Sequence, residues 1–272
     1  FRSCIIGGYH ANYHTVPYKY EHVMGTKKGG NIAILGGAGP MGLGAVDYAL
    51  AIDNKPAKIV VTDISDDRLN RAAKFITPAY AASKGVELLY VNTANYDQPI
   101  EHLKGLTDGH GYDDVFVYAP VVPLVEQGDQ LLAYDGCMNF FAGPTDTKFT
   151  APINLYNVHY NNTHIMGSTG GNTEDLIEAL DLSAKNLINP SVMLTHIGGL
   201  DCTIDAVMDL PNIPGGKKLV YNHIDMPLTA IDDFAKMGET DPLFKALAEL
   251  VEKHSGLWNA EAEAYLLNYF NA

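Results

Sequence analysis

The sequence predicts an α/β protein whose core is a doubly wound, parallel, six-stranded sheet. Three observations predict it. From Asn31 onward, short β-branched or apolar runs alternate with amphipathic stretches, the order that builds right-handed βαβ units covered on both faces. The first run empties into "LGGAGPMGLGA" (residues 35–45), five glycines in eleven residues. The second closes on Asp63, about twenty residues beyond Gly42.

Taken in order, residues 1–14 read as a helix and 18–30 as a connector closing in "TKKGGN". "NIAIL" (31–35) is the first buried strand and 40–52 the first crossover helix. "KIVVTD" (58–63) is the second strand, with a helix from Ser65 to about Phe75. "VELLYV" (86–91), "DDVFVYA" (113–119), "CMNFFAG" (137–143) and "THIMGS" (163–168) complete the six. Helices near Ile100 and Val125 fill two gaps, and another runs from about Thr173 to Asn186. A loop-rich stretch with Pro190, Pro211 and Pro214 follows, and the tail from Asp225 is helical again. There, Asp241 and Pro242 supply an N-cap acid and an N1 proline ahead of a helix over 243–254. The expected organisation is a linking helix and connector (1–30), a dinucleotide-binding domain (31–188), a return segment (189–224) and a helical extension (225–272).

Composition bounds the function. At 272 residues and 47% hydrophobic, the chain builds one large domain, or one domain with an appendage, around an extensive core. Its 18 Lys and Arg against 32 Asp and Glu give a net charge of −14, which argues against nucleic acid or an acidic membrane as partner. Small anions remain accessible, because backbone amides at helix termini bind them without net positive charge. Cys4, Cys137 and Cys202 are scattered and form no CxxC pair, so neither a disulfide framework nor a thiolate zinc site is legible. The expected compartment is the cytoplasm. No run of about twenty apolar residues suggests a membrane span. The chain opens on Phe1, and "CIIGG" lacks the layout of a signal peptide, so the sequence reads as part of a longer one.

The glycine turn carries the chemistry. Strand, "GGAGPMG", helix is the context in which a GxGxxG pattern binds a dinucleotide, the Rossmann arrangement. Gly37 permits the tight turn, Gly39 lets backbone approach a pyrophosphate, and Gly42 lets the helix pack closely. Pro40 and Met41 open that helix, whose positive end faces the phosphates. Asp63 is the acid expected on the adenosine ribose hydroxyls, and its charge repels a 2′-phosphate, so NAD is expected over NADP. Arg68 either flanks the adenosine or makes a surface salt bridge. Three other patterns carry less. "YAASK" (80–84) has the YxxxK form of short-chain dehydrogenases but precedes the third strand. "HANYH" places His10 and His14 four apart on one expected helical face, without a third zinc ligand. "NNT" (161–163) is a glycosylation sequon without meaning in the cytoplasm.

"ILGGAGPMG" followed by "VVTDISDDRLNRA" (60–72) resembles the medium-chain, zinc-dependent alcohol and polyol dehydrogenases. "THIGGLDCTIDAVMDLPNIPGGKKLVYNH" (195–223) is similar to that family's closing stretch. "GGYHANYHT", "VEQGDQLLAYDGCMNFFAGPT" and "NVHYNNTHIMGSTGGNTEDL" resemble a narrower branch, the L-sorbose-1-phosphate reductase group. The resemblance runs from residue 1 to about 233. It implies pyrophosphate contacts at Gly37, Gly39, Pro40, Met41 and Gly42, and ribose contacts at Asp63 and Arg68. It further implies a nicotinamide-ribose site at Ala119 and Pro120 and a carboxamide site at Gly143 and Pro144. Ser168, Thr169, Gly170 and Gly171 would close over the nicotinamide end; ordinary loop chemistry is the alternative for these last three groups.

The same resemblance implies a catalytic zinc held in an N-terminal lobe whose ligands precede Phe1. This chain is therefore expected to bind NAD yet to be zinc-free and catalytically silent, with no catalytic or metal residue of its own. The expected substrate is a small sugar phosphate or polyol, and the expected assembly a homodimer paired through the edge strand at 163–168. Two other classes compete: an NAD-sensing module without hydride transfer, and an S-adenosylmethionine-dependent methyltransferase.

Overall fold

In the computed structural model, which describes residues 2–271, the chain starts with helix α1 (Arg2–Ala11) and a short hairpin of β1 (Tyr13–Thr15) and β2 (His22–Met24). The expected helix over 1–14 therefore ends early, and its first residue, Phe1, lies outside the described residues. The cause is Asn12, whose amide donates to buried Asp114 at 2.7 Å, turning the chain out of the helix and into the hairpin.

The sheet follows with β3 (Asn31–Leu35), α2 (Pro40–Ala51), β4 (Lys58–Asp63), α3 (Asp66–Phe75), α4 (Pro78–Ser83), β5 (Glu87–Asn92), α5 (Pro99–Gly105), β6 (Tyr112–Val117), α6 (Val122–Leu131), β7 (Leu132–Phe140), α7 (Leu155–Tyr160), β8 (His164–Met166) and α8 (Thr173–Ala184). Its order is β5-β4-β3-β6-β7-β8, with every pairing parallel. β3 and β4 are buried almost end to end, which is why both read as unbroken apolar runs. Ala33, Leu35, Val60, Val115, Val117 and Met138 meet in one core cluster on the sheet.

Three strands differ from expectation. β6 begins at Tyr112, released by Gly111 at φ +83°, and stops at Val117. β7 begins five residues before Cys137 and carries an irregularity between the Tyr112–Leu132 and Asp114–Cys137 pairings, where Asp135 takes φ +59°. Asp135 and Gly136, which precede the expected strand, form a bulge in the ladder. β8 is three residues long, pairing only Cys137, Met138 and Asn139 of β7 at one edge of the sheet. α4 carries the YxxxK pattern, with the Lys84 ammonium 5.4 Å from the centre of the exposed Tyr80 ring. That is a surface cation–π pair on a crossover helix.

From Pro190 the chain forms a second unit. The return segment is more regular than its prolines suggested, with β9 (Leu194–Gly199), α9 (Thr203–Met208) and β10 (Lys217–Tyr221). The stretch expected to be helical from Asp225 begins instead with a strand, β11 (Thr229–Ala230), which pairs with β9 in a sheet of order β10-β9-β11. The tail supplies α10 (Phe234–Met237), α11 (Pro242–Glu252) and α12 (Ala260–Asn271), with Asp241 capping α11 through the Leu243 amide at 2.8 Å. Return segment and tail share one core, in which Trp258 donates to the Tyr221 hydroxyl at 3.0 Å.

Candidate functional site

The strand order reverses between β3 and β6, and at such a switch point open α/β sheets bind ligands beside the carboxyl ends of their strands. The turn leaving β3 lies at that point. Gly36 takes the left-handed conformation, φ +65°, so it makes the tight turn that sequence reasoning gave to Gly37. Gly37 is required for a different reason: a Cβ there would stand 2.5 Å from Ile34 Cγ2 and 2.7 Å from the Ile34 carbonyl oxygen. A Cβ on Gly42 would lie 2.1 Å from the Gly37 carbonyl oxygen, so α2 can seat on the turn only with glycine at that position.

Gly39 is different. It is the N-cap of α2, at φ −82°, and a Cβ there would meet nothing within 4 Å. No side chain caps this helix, Pro40 occupies its first turn, and no acidic residue lies there. Its first amides and the positive end of its dipole are thus left for an external anion. A phosphate-bearing ligand fits this cradle.

Asp63 ends β4, with Oδ1 accepting from the amides of Ile64 (2.8 Å) and Ser65 (3.2 Å) and facing the Arg68 guanidinium at 2.9 Å. Oδ2 makes no hydrogen bond among the described residues, leaving an oriented lone-pair site. Arg68 therefore forms the salt bridge that was one of its two expected roles, while Ser65 caps α3 through the Arg68 amide. Ala119 and Pro120 follow β6, and a Cβ on Gly36 would meet the Ala119 side chain at 3.3 Å, so these two loops touch. Gly143 and exposed Pro144 follow β7. Ser168 and Thr169 follow β8; the Ser168 hydroxyl is buried without a partner. These groups stand in the order β4, β3, β6, β7, β8 along the carboxyl ends, four strand spacings or about 19 Å from first to last. Sequence reasoning missed Gly36 because adjacent glycines offer the same turn and only the backbone angle separates them.

The two histidines of "HANYH" do not share a helical face. His10 Nδ1 lies 2.8 Å from the Asp175 carboxylate, on α1. His14 is on β1, with Nδ1 2.9 Å from the Asp135 carbonyl and Nε2 3.2 Å from Asp114 Oδ1. Both ring nitrogens of His14 face acceptors, which selects the imidazolium. Burial pushes its pKa down, and the contacts with Asp114 and Asp135 outweigh that and raise it. The described residues do not fit a zinc centre, because no group of three or more His, Cys, Asp or Glu side chains among them could hold a metal. Cys137 is buried, which pushes its thiol up to about 12 and makes it unreactive. Among the described residues no helix is long and apolar enough to cross a membrane.

Comparison with known proteins places the chain. Residues 40–185 match the family model described as zinc-binding dehydrogenase. The chain is 58% identical over 98% of its length to an uncharacterized protein, YggP, of Escherichia coli (strain K12). It is 54% identical over 99% to mannitol-1-phosphate 5-dehydrogenase of Aliivibrio fischeri, and 43% identical over 97% to L-sorbose 1-phosphate reductase of Klebsiella pneumoniae. It spans 63%, 64% and 61% of these three relatives. Among solved structures, 2R,3R-butanediol dehydrogenase from Bacillus subtilis superposes with a TM-score of 0.61 at 18% identity, covering 82% of this chain and 56% of that one. A Sinorhizobium meliloti 1021 structure described as a zinc-binding dehydrogenase bound to NADP gives 0.58 at 21% identity, covering 73% and 54%. At these identities the structures bear on the fold alone.

Proposed function

The chain belongs to the zinc-binding dehydrogenase family, and from that premise we propose that it is the NAD-binding part of a sugar-phosphate or polyol dehydrogenase. The observation that carries the proposal is the uncapped start of α2 beside an oriented carboxylate, at one end of a 19 Å row of loops (about four strand spacings). An elongated ligand whose pyrophosphate joins two nucleosides suits that row better than compact S-adenosylmethionine does. Gly39, Met41 and Gly42 offer backbone amides to the pyrophosphate at the start of α2, Pro40 sets the first turn of that helix without an N–H of its own, and Gly37 shapes the turn before it. Asp63 accepts from the adenosine ribose, and Arg68 flanks it. Ala119 and Pro120 border the nicotinamide ribose, Gly143 and Pro144 the carboxamide, and Ser168 and Thr169 the nicotinamide end. A nicotinamide cofactor held by these residues would supply the whole protein with hydride exchange to and from a secondary alcohol or ketose.

Asp63 sets the preference within the nicotinamide cofactors: a carboxylate accepts two ribose hydroxyls and repels a 2′-phosphate. Two relatives named for sugar phosphates support that substrate class. Zinc, where the whole protein uses it, is held by residues other than those described. Domain 31–188 is the cofactor-binding domain of a cytoplasmic homodimer, with the short edge strand β8, on which Ile165 is exposed, as the pairing edge. Parallel calorimetric titrations with NAD, NADP and S-adenosylmethionine test the proposal. Saturable NAD binding tighter than either competitor is expected, and preference for NADP or S-adenosylmethionine refutes it.

A further inference from the structure

A cavity lies at the other end of the sheet, near the amino ends of its strands. It holds about 940 Å³ and is lined by residues that immediately precede strands: Lys27 and Lys28 before β3, Asn54 before β4, Asn162 before β8, and Tyr134 at the start of β7. The bend of the β1–β2 hairpin, with Lys19 and Tyr20, forms another wall. Its volume is in the range of small-molecule sites, and nothing in the dinucleotide reading uses it.

Its charge runs against the rest of the molecule. The chain carries 18 Lys and Arg against 32 acids, whereas the cavity is lined by three lysines and one carboxylate. That carboxylate, Asp135, is already engaged by the Thr15 amide and hydroxyl, the Asn162 amide and His164. Lys27 pairs with Asp113 at 2.6 Å and Lys19 loosely with Glu21 at 3.7 Å, and neither acid lines the cavity. Lys28 is exposed and has no side-chain partner among the described residues. Beside this cationic wall stand exposed tyrosine rings: Tyr20 fully, Tyr134 and Tyr160 about two-thirds. Asn54 and His159 add groups able to meet hydroxyls.

We propose that this cavity binds a phosphate monoester of a small polyhydroxylated molecule, remote from the cofactor site. Lysine ammonium groups meet the dianionic phosphate, tyrosine faces cover the C–H side of the carbon chain, and the amide and imidazole groups meet its hydroxyls. The proposal does not rest on NAD binding, because no residue is shared between the two sites. A site on exposed ammonium groups also weakens as salt rises.

The test is calorimetry on the chain with sorbitol 6-phosphate, inorganic phosphate and unphosphorylated sorbitol, alongside an NAD titration. Saturable binding of the phosphate ester is expected, with sorbitol silent and affinity falling with salt. Lys28→Ala, which removes a side chain without a partner, should weaken it about tenfold, the loss of one charge-assisted hydrogen bond. Melting temperature and NAD affinity should not change. Absence of ester binding, or binding that survives Lys28→Ala intact or is displaced by NAD, overturns the proposal. So does a Lys28→Ala protein that dissociates from an oligomer in sedimentation, which would assign the cavity to a contact between copies. A failed NAD titration with intact ester binding would count against the dinucleotide reading alone.

Discussion

Replacing Gly39 and Gly42 by alanine, one at a time, should separate ligand approach from chain packing within a single turn. At Gly42 the new methyl meets backbone, 2.1 Å from the Gly37 oxygen and 2.5 Å from its Cα, so no side-chain rotation relieves it. Overpacking of this kind costs about 1–3 kcal/mol or more, and alanine's helix propensity returns at most about 1 kcal/mol. A net loss of about 2 kcal/mol lowers the melting temperature by roughly 4–8 °C for a domain of this size. At Gly39 the methyl enters open space, at a backbone conformation alanine adopts freely. Loss of a tolerated N-cap, about 0.5–1 kcal/mol, is balanced by an unfolded-state gain of about 0.4–1 kcal/mol. Stability should therefore stay near wild type. The same methyl stands between a pyrophosphate and the first amides of α2, and losing one charge-assisted hydrogen bond weakens NAD about tenfold or more. Thermal denaturation and calorimetry read the two effects independently. A Gly39→Ala protein that melts early and binds NAD normally, or a Gly42→Ala protein that melts like wild type, would refute the reasoning.

Asp63→Ala should cost about 1–3 kcal/mol of NAD affinity while relieving repulsion of NADP; competitive titration of the two cofactors checks both halves. His14 has a raised pKa in the fold, so its contribution to stability is fully present below about pH 6.5 and is lost as pH rises through the raised value. Denaturant midpoints of wild type and His14→Gln should therefore converge with increasing pH, and a gap that widens would contradict this. Arg2→Ala strands the buried Asp47 carboxylate, which Arg2 meets at 2.5 Å, and should cost about 3–5 kcal/mol in chemical denaturation. On a polyol and sugar-phosphate panel the chain should show NAD binding without turnover or stoichiometric zinc. Zinc together with turnover lost in His10→Ala or His14→Ala would reverse that expectation.

The legible parts of the fold were those where one physical pattern acted alone. β3 and β4 are buried on both faces and appear as apolar runs with sharp ends. The α2 boundary followed from Pro40, and that of α11 from Asp241 with Pro242. What stayed hidden depended on partners distant in sequence. The end of α1 is fixed by Asn12 reaching Asp114, 102 residues away, and β1 with β2 forms a hairpin around a bend that periodicity does not mark. β9 and β10 lie in a proline-rich stretch and become strands by pairing with each other. At the site, Asp63 was legible because its spacing from the glycines is fixed by one βαβ unit. The role of Gly36 was not, because several adjacent glycines offer the turn and only the backbone angle distinguishes them. The cavity at the amino end drew no notice in sequence, since its lysines and tyrosines come from four separated segments.

Backbone amide shifts of the isotope-labelled chain during an NAD titration test the central claim most directly. The account predicts saturable changes at Gly39, Met41, Gly42, Ile64 and Ser65, with weaker ones at Ala119, Gly143 and Thr169, and none over residues 13–28. Saturable changes confined to other segments, or no saturable change with NAD at all, would contradict it.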